Sequence, residues 1–297
     1  MQGLRQRQKS AAAIHDISCF GKCSLTVALP ILSAAGIETP VIPTAVLSTH
    51  TGGFTGFTYR DLTEDIQPVA DHWMSLGLGF DAVYTGFLGS FEQINIVSNC
   101  FDMFKASGRK QQKDTLVVVD PVMADDGALY AIFPENFPGQ MRMLCEKADV
   151  IVPNITEAAL LLGIPYHDGT CAQGEIESML HGLSELGPKQ VVITGVSYDG
   201  VQLGAASYDA RTSTAAYAYR ARIDPMYHGT GDVFASVLTA ALLHGASLPQ
   251  ACEAAVQFTV DSIARTKAAG TDMRFGVDFE TGLCGLSALI DSVIKNE

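Results

Sequence analysis

A short glycine-rich turn, His228-Gly-Thr-Gly-Asp232, leads directly into an apolar run at residues 233–243. Gly229 and Gly231 allow the backbone to approach a ligand closely, because neither residue carries a Cβ. The first amides of a helix lack intrahelical partners, and the helix dipole adds positive potential there, so this turn could bind an anion. The Asp232 carboxylate is then either a helix cap or a base beside the bound anion.

A second group of polar residues follows the apolar run at residues 115–119, which is typical of a buried strand. Asp120-Pro-Val-Met-Ala-Asp125 places two carboxylates in one loop. Hard cations such as Mg²⁺ prefer oxygen ligands, so these carboxylates could hold the ion through water. The alternative is that Asp120 and Pro121 only end the strand.

A third group, Asn154-Ile-Thr-Glu157, joins the next apolar run to a predicted helix. Asn154 or Thr156 could cap that helix, and Glu157 could simply favour the helix dipole in its first turn. A carboxylate at this position could also bind a metal-bound water. Both interpretations stay open from the residues alone.

The composition limits the classes of function. The chain has 297 residues, of which 47% are hydrophobic and 17% charged, as is typical of a globular protein with a substantial core. The net charge of −13 disfavours nucleic acid and anionic membranes as partners. Seven scattered cysteines without a C-x-x-C pair indicate reduced thiols and a cytoplasmic location. The longest apolar run, residues 233–243, is too short to span a bilayer.

Predicted strands and helices alternate along most of the chain. The predicted strands are residues 11–17, 41–47, 81–86, 115–120, 149–154 and 190–195. The predicted helices are residues 24–35, 61–76, 90–106, 134–147, 156–162 and 172–186, a helix after Asp232, and one from 249 to about 265. Residues 201–207 and 212–219 alternate more and predict a late antiparallel pair.

Strands without polar alternation, separated by helices, predict an α/β fold with a parallel sheet covered on both faces. No linker or repeat divides the chain, so we predict one domain over residues 1–297, with residues 1–10 as a flexible leader. Polar residues gather where the predicted strands end. Since ligands of open α/β sheets lie outside the carboxyl ends of the strands, the sequence predicts a site at that edge.

The order and spacing of the motifs resemble the pyridoxal/pyridoxamine kinases of the ribokinase-like superfamily. Ser48-Thr-His-Thr-Gly52 and Tyr84-Thr-Gly-Phe-Leu-Gly89 precede Asp120-Pro-Val-Met, Asn154-x-x-Glu157 and Gly229-Thr-Gly-Asp232, and the resemblance covers about residues 12–270. It implies a three-layer α/β/α sandwich with a mainly parallel central sheet, and a homodimer. It also implies phosphoryl transfer from ATP, with Mg²⁺, to the 5′-hydroxymethyl group of pyridoxal, pyridoxamine or pyridoxine. A monovalent cation is a further candidate cofactor.

The resemblance implies a role for each matched position. Asp232 would be the general base, and the anion hole would consist of Gly229, Thr230 and Gly231. The nucleotide would be bound by Asp120, Asn154, Glu157, Thr194, Gly195, Ile223, Asp224 and Thr230. The metal ion would be bound by Asp125 and Glu157. The vitamer would contact Asp16, Ser18, Thr51, Tyr84, Tyr130 and Asp232.

The end of the first strand departs from the family pattern. The family commonly has Ser-His there, in contact with the pyridine, whereas the aligned pair here is Asp16-Ile17, followed by Ser18. An Asp could face a protonated ring nitrogen or an amine, so the identity of the vitamer stays open. Val152 stands where some members have a Thr near the metal ion.

Two alternatives to this function stay open. A hydroxymethylpyrimidine kinase of thiamin metabolism belongs to the same superfamily, and some relatives accept both substrates. A protein of a different class, a non-catalytic vitamer sensor, would keep the fold without the reaction. Asp232 and the intact anion turn argue against the sensor, because a protein that only binds has no need of a base there.

Overall fold

The computed structural model describes residues 8–111, 114–167 and 169–295. The strands are β1 (Ala11–Ser18), β2 (Val41–Leu47), β3 (Tyr59–Asp61), β4 (Ala82–Thr85), β5 (Leu116–Val119), β6 (Ala124–Asp125), β7 (Ala128–Leu129), β8 (Val150–Ile151), β9 (Gln190–Val196), β10 (Gln202–Asp209) and β11 (Thr214–Ala221). The helices are α1 (Leu25–Ala34), α2 (Thr63–Ser75), α3 (Phe91–Lys110), α4 (Phe137–Cys145), α5 (Ile155–Leu162), α6 (Gln173–Glu185), α7 (Thr230–Leu243), α8 (Leu248–Ala269) and α9 (Leu283–Lys295). Among these described residues, no helix has both the length and the apolar character needed to cross a bilayer.

Within the described residues, nine strands form one sheet in the order β11-β10-β9-β8-β5-β4-β1-β2-β3, and β6 pairs with β7 as a separate hairpin. The strands from β2 through β9 in this order are parallel. β3 pairs antiparallel at one side, and β10 and β11 at the other. The mainly parallel sheet and the late antiparallel pair are therefore confirmed. The carboxyl ends of the parallel strands share one edge of the sheet.

Two apolar layers cover the sheet, because successive side chains of a strand point to opposite faces. In β5, Val117 and Val119 pack into a core that includes residues of α2 to α6. Val118 faces the other core, which includes residues of α1, α7, α8 and α9. The structure is therefore the three-layer α/β/α sandwich that the resemblance implied.

The start of α7 differs from the prediction. The helix begins at Thr230 and not after Asp232, so Asp232 lies within its first turn. Gly229 has a left-handed backbone with φ 78°, and its carbonyl already accepts the helical hydrogen bond from Val233 N at 3.1 Å. The glycine turn therefore both precedes and starts the helix.

The short elements β3, β6 and β7 were not predicted. They have three, two and two residues, which is too few to show a hydrophobic period, and most of their residues are exposed or half-buried. Ser10 also differs from its place in the predicted leader, since it is buried and its backbone N–H donates to Asp81 Oδ2 at 2.9 Å. Residues 1–7 of that leader lie outside the described residues.

Candidate active site

The predicted site residues gather at the carboxyl edge of the parallel strands. Asp16 is near the end of β1, Asp120 directly follows β5, and Asn154 follows β8. Asn154 forms a parallel bridge with Thr194 of β9, and Thr194 N donates to the Pro153 carbonyl at 2.9 Å. The topology thus brings residues from widely separated parts of the chain to one edge.

Asp232 is half-buried and does not cap its helix. The N-cap position of α7 is Gly229, and no side-chain capping hydrogen bond is present there in the described chain. Burial raises the pKa of Asp232 to about 7; a hydrogen bond from the Ser24 backbone N–H opposes this shift, and the negative charge of Asp16 adds to it. A carboxylate with a pKa near neutrality is suited to accept a proton from a substrate hydroxyl.

The turn before Asp232 requires glycine at one position and leaves open space at another. A Cβ on Gly229 would lie 2.2 Å from the Lys22 carbonyl oxygen, and the φ of 78° is in the left-handed region. A Cβ on Gly231 would meet nothing within 4 Å, and this residue is exposed. Thr230 Oγ1 donates to the Tyr227 carbonyl at 3.2 Å, which closes the turn. The backbone at Gly231 is thus accessible to an anion.

The segment between β1 and α1 adopts unusual backbone conformations beside this turn. Lys22 and Ser24 have φ values of 53° and 56°, which non-glycine residues rarely adopt. These conformations place the Lys22 carbonyl against Gly229 and the Ser24 N–H toward Asp232. Strained backbone of this kind is concentrated at functional sites, where the surrounding structure maintains it.

Glu157 and Asn154 form a reciprocal capping box at the start of α5. Asn154 Oδ1 accepts from Glu157 N at 2.9 Å, and Glu157 Oε2 accepts from Asn154 N at 2.9 Å. Glu157 Oε1 also accepts from Met123 N at 3.0 Å, while Asn154 Nδ2 donates to the Ala124 carbonyl at 2.8 Å. The box therefore joins α5 to the loop after β5. The capping role of Asn154 is confirmed, and the metal role of Glu157 stays a prediction.

The Asp120 carboxylate lies within electrostatic reach of two others, Glu157 and Asp232. Burial, with the negative charges of Glu157 and Asp232 adding to it, raises the pKa of Asp120 well above its usual range. Burial likewise raises the pKa of Glu157 to about 8, against the hydrogen bonds from Asn154, Met123 and Ala124. A divalent cation placed among these groups would neutralise the accumulated negative charge, so the donor set fits Mg²⁺.

The carboxylates do not form a complete metal site by themselves. Across the residues that the structure describes, no group of three or more His, Cys, Asp or Glu side chains is arranged to hold a metal ion. Asp125 is exposed, and its Oδ1 accepts from Asp126 N at 3.0 Å. Mg²⁺ commonly takes one or two carboxylates and completes its shell with phosphate and water oxygens. The arrangement suits an ion that arrives with a nucleotide.

Asp16 and Ser18 bond to each other. Ser18 Oγ donates to Asp16 Oδ2 at 2.9 Å, and both residues are buried. Burial raises the pKa of Asp16, and the hydroxyls of Ser24 and Ser18 oppose the shift. The ladder between β1 and β2 shifts register around Asp16, an irregularity that can redirect a side chain.

Four residues predicted to line the ATP site lie along the same edge: Thr194, Gly195, Ile223 and Asp224. Gly195 is exposed, has φ 75°, and has open space where a Cβ would be. β11 runs in the same direction as β9, because two antiparallel steps separate them. Ile223 and Asp224, which follow β11, therefore return to the edge where Thr194 lies. Asp224 Oδ1 accepts from Arg222 Nε at 2.9 Å.

Comparison with known proteins agrees with this architecture. The sequence profile of the family described as "Phosphomethylpyrimidine kinase" matches residues 31–276. The pyridoxal kinase of Bos taurus is 30% identical over 255 residues, which cover 79% of this chain and 78% of the relative. This chain belongs to the family of phosphomethylpyrimidine and pyridoxal kinases.

Other relatives in this kinase family cover nearly the whole chain. The "Pyridoxine/pyridoxal/pyridoxamine kinase" of Bordetella avium (strain 197N) is 29% identical, over 84% of this chain and 83% of the relative. A protein of Bacteroides thetaiotaomicron, named provisionally as a phosphomethylpyrimidine kinase, was solved with pyridoxal. It is 39% identical, with a TM-score of 0.88, over 94% of this chain and 96% of that one. The pyridoxal kinase of Lactobacillus plantarum is 34% identical, with a TM-score of 0.83, over 97% and 99%.

Tyr84 was carried over from the kinase family as a vitamer contact, and that role stays a prediction. Its side chain is fully buried, and its ring makes an edge contact with His15 at 4.4 Å between centroids. The strand β4 turns this residue toward the core shared with α7. Burial raises the pKa of Tyr84 and the charges of Asp120 and Asp232 add to this shift, which places its hydroxyl near the carboxylates of the site. Tyr130 and Thr51 differ, since Tyr130 is half-buried and Thr51 is exposed. The charges of Glu157 and Asp125 add to the burial that raises the pKa of Tyr130, which places it near the carboxylates.

Several aromatic residues beside the anion turn of this kinase were not predicted. The rings of His50 and His228 lie 5.0 Å apart, and Phe54 lies 4.9 Å from His50. Phe54 also stacks parallel to Phe275 at 6.4 Å, and Phe20 makes edge contacts with both. We call these five residues the aromatic group. They come from four separate segments, so no local pattern could reveal that they pack together. His50 and His228 lie in motifs that the sequence showed, and a Cβ on Gly52 would lie 2.6 Å from the His228 ring.

Proposed function

We propose that this kinase transfers the γ-phosphoryl group of ATP to the 5′-hydroxymethyl group of a B6 vitamer. The observation that carries the proposal is Asp232, whose carboxylate has a pKa of about 7 and lies in the first turn of a helix opened by an accessible glycine turn. A base and an anion site are thus adjacent. Such an arrangement suits the removal of a hydroxyl proton while a phosphoryl group is bound.

The proposed reaction depends mainly on positioning and charge stabilisation. The amides at residues 229–231 would hold the transferring phosphate, and Asp232 would accept the proton of the acceptor hydroxyl. Mg²⁺ would neutralise charge on the phosphates, and Asp120, Asp125 and Glu157 would hold it together with phosphate and water oxygens. Exclusion of water by the aromatic group would favour transfer to the vitamer over hydrolysis.

The nucleotide would lie along the edge formed by β9 and the segment after β11. Gly195 offers open backbone there, and Thr194, Ile223 and Asp224 flank it. ADP-bound pyridoxal kinases from Leishmania donovani and Staphylococcus aureus share this fold at 23% and 22% identity. Their nucleotide supports the choice of ATP as the phosphoryl donor.

A B6 vitamer is favoured over hydroxymethylpyrimidine as the acceptor. The relative from Bacteroides thetaiotaomicron, at 39% identity, was solved with pyridoxal. The description of the matched family names a phosphomethylpyrimidine, so the pyrimidine stays as the alternative to be tested. We also propose that the protein is a homodimer, from the family resemblance, and light scattering tests this. A cytoplasmic location is proposed from the seven unpaired cysteines.

The deciding experiment measures ADP release with MgATP while pyridoxal, pyridoxamine, pyridoxine and hydroxymethylpyrimidine are offered separately. We expect turnover on at least one B6 vitamer. Turnover on the pyrimidine alone would move the protein to thiamin metabolism. Vitamer binding without ADP release from any acceptor would support the non-catalytic sensor instead.

A further inference from the structure

A cavity lies at the opposite edge of the sheet from the candidate active site. Leu116 and Gln190 are the first residues of β5 and β9, and Asp149 directly precedes β8; all three line this cavity. The candidate active-site residues follow or end the same three strands. The cavity is therefore separated from the anion turn by the length of the strands, and the proposed reaction makes no use of it.

The charge of this cavity is opposite to that of the chain. Four basic side chains and two acidic ones line it, which gives a formal charge of +2 in a chain of net charge −13. The basic residues are Lys105, Arg109, Lys189 and Arg211. Four of the nineteen lysines and arginines of this acidic protein therefore line one cavity. They make the local electrostatic potential less negative than that of the rest of the surface.

Two of these basic side chains are already paired. Lys105 Nζ lies 2.9 Å from Asp149 Oδ2. Arg211 bonds Asp209 through two nitrogens, with Nε to Oδ1 at 2.9 Å and NH2 to Oδ2 at 2.5 Å. These ion pairs hold the side chains at the walls of the cavity. Because the carboxylates neutralise Lys105 and Arg211, these two residues have little charge left to attract a ligand.

The other two basic side chains, Arg109 and Lys189, are exposed and form no ion pair in the described part of the chain. Arg109 lies in the last turn of α3, where a cation also favours the helix dipole. Lys189 immediately precedes β9 and Arg211 follows β10. Neither lies at the end of a helix, so a helix dipole does not explain why these positions are cationic. Asp114, which also lines the cavity, takes part in neither of the two pairs described above and offsets one of the two positive charges of Arg109 and Lys189. One positive charge therefore stays uncompensated at the cavity.

The floor of the cavity is buried and internally bonded. Thr115 and Gln190 are 4% exposed. Thr115 Oγ1 donates to the Phe80 carbonyl at 2.8 Å, and Gln190 Nε2 donates to Asp209 Oδ2 at 2.9 Å. Because the floor side chains already have partners, the recognition of a ligand falls to the cationic rim. A volume of about 360 Å³ is at the small end of the range for ligand sites.

We propose that this cavity is a binding site for a small phosphate monoester. A guanidinium can contact two phosphate oxygens at once, and an ammonium adds a point charge, so Arg109 and Lys189 together can contact a phosphate group. The volume leaves room for a small organic group beside the phosphate. The site is independent of the proposed kinase reaction.

The test follows hydrogen exchange of the backbone amides during titration with inorganic phosphate, glycerol 3-phosphate and citrate. The exchange rates of residues 105–111, 114–116 and 186–191, which flank the cavity, are measured separately from those of residues 226–233 at the anion turn. We expect both phosphate probes to slow exchange in the cavity segments. The double variant Arg109→Gln/Lys189→Gln should bind them at least tenfold more weakly there, with kinase turnover and the anion-turn response unchanged.

The matched control is Lys267→Gln/Lys295→Gln. It removes the same charge from the last turns of α8 and α9, helix ends comparable to that of α3 but away from the cavity. This control should bind the probes like the unaltered protein. If both double variants lose phosphate binding equally, the binding depends on the net charge of the protein and the proposal is wrong. No protection in the unaltered protein, or protection by citrate alone, would overturn the proposal.

Discussion

The burial that prepares Asp232 to accept a proton also disfavours its charged form. Its pKa of about 7 means that the carboxylate is protonated in a large part of the molecules at neutral pH. A general base must be ionised to act, so kcat/KM should rise about tenfold per pH unit below pH 7 and level off above it. A rate that is independent of pH between 5.5 and 8 would contradict this role.

Replacing Asp232 by Asn should separate catalysis from stability. We expect kcat to fall by about 10²–10⁴-fold, the usual contribution of a general base, with the fold unchanged. The raised pKa means that stability is fully present below the unfolded value of 3.8 and is lost as pH rises through about 7. Asn does not ionise, so the variant should be more stable than the unaltered protein at pH 8, by about 1–2 kcal/mol.

Urea unfolding at pH 5.5 and pH 8 measures this difference. The gap in the free energy of unfolding should widen toward pH 8. If Asp232→Asn is less stable at both pH values, Asn does not replace Asp232 as the acceptor of the hydrogen bond from Ser24. If the variant keeps near-normal turnover, Asp232 is not the general base.

The two glycines of the anion turn should respond differently to alanine. Gly229→Ala forces a Cβ to within 2.2 Å of the Lys22 carbonyl at a left-handed φ, so we expect a loss of stability of about 1–3 kcal/mol. Gly231→Ala meets open space within α7, so stability should rise by about 1 kcal/mol or stay unchanged. If phosphate approaches this backbone, Gly231→Ala should still lower turnover at least tenfold. Thermal unfolding and ADP release, measured together, test both expectations; a fully active Gly231→Ala variant would exclude close approach there.

At the scale of elements, the start of α5 connects two strand ends. The capping box bonds Asn154 and Glu157 to each other, and Glu157 also bonds Met123 in the loop after β5. A single carboxylate thereby orders the helix start and the loop that carries Asp125. Any effect of Glu157 on the metal ion acts together with this structural role.

Glu157→Gln should weaken both the fold and the use of Mg²⁺. The carboxylate accepts N–H groups on both oxygens, whereas Gln has one acceptor, so one N–H loses its partner at a cost of about 1–3 kcal/mol. We also expect a higher Mg²⁺ concentration for half-maximal rate. Thr156→Val is the control, because it removes the acceptor of Gly127 N at 3.0 Å and keeps the carboxylate. An unchanged Mg²⁺ titration in Glu157→Gln would restrict Glu157 to its structural role.

At the scale of the whole molecule, Lys22 helps to hold the C-terminal segment beside the anion turn, an arrangement that we call the closure. Lys22 Nζ contacts Asp278 Oδ1 at 2.9 Å and Glu280 Oε2 at 3.0 Å, across more than 250 residues of sequence. His50 Nε2 lies 2.7 Å from the Arg274 carbonyl oxygen. These contacts hold Phe275 in the aromatic group, next to the anion turn.

Lys22→Gln should loosen this closure with little effect on global stability. The pairs are partly exposed, so we expect a loss of at most about 1 kcal/mol, smaller in high salt. Hydrogen exchange of residues 272–282 should accelerate, and KM for the acceptor should rise more than that for ATP. Lys147→Gln breaks a comparable surface pair, Lys147 with Asp102 at 2.8 Å, and serves as the control. Equal KM changes in both variants would contradict the closure.

Local patterns were enough for the long elements. The apolar runs of β2 and β9 and the periodic helices α3 and α6 were predicted within a few residues of their observed bounds. β3 and the β6–β7 hairpin were missed, because two or three residues are too few to show a hydrophobic period. The helix start at Thr230 was also placed too late, since a left-handed Gly229 can belong to the helix as its cap.

The sequence by itself determined the parallel α/β architecture, the edge at which the predicted site residues gather, and the family of the kinase. The reason is that buried parallel strands are continuous apolar runs, and their polar ends are local in sequence. Only the tertiary structure decided that Tyr84 is buried, that Glu157 bonds the loop after β5, and that the aromatic group and the cationic cavity exist. These features depend on contacts between distant segments and on which face of a strand a side chain occupies, and no spacing along the chain encodes them.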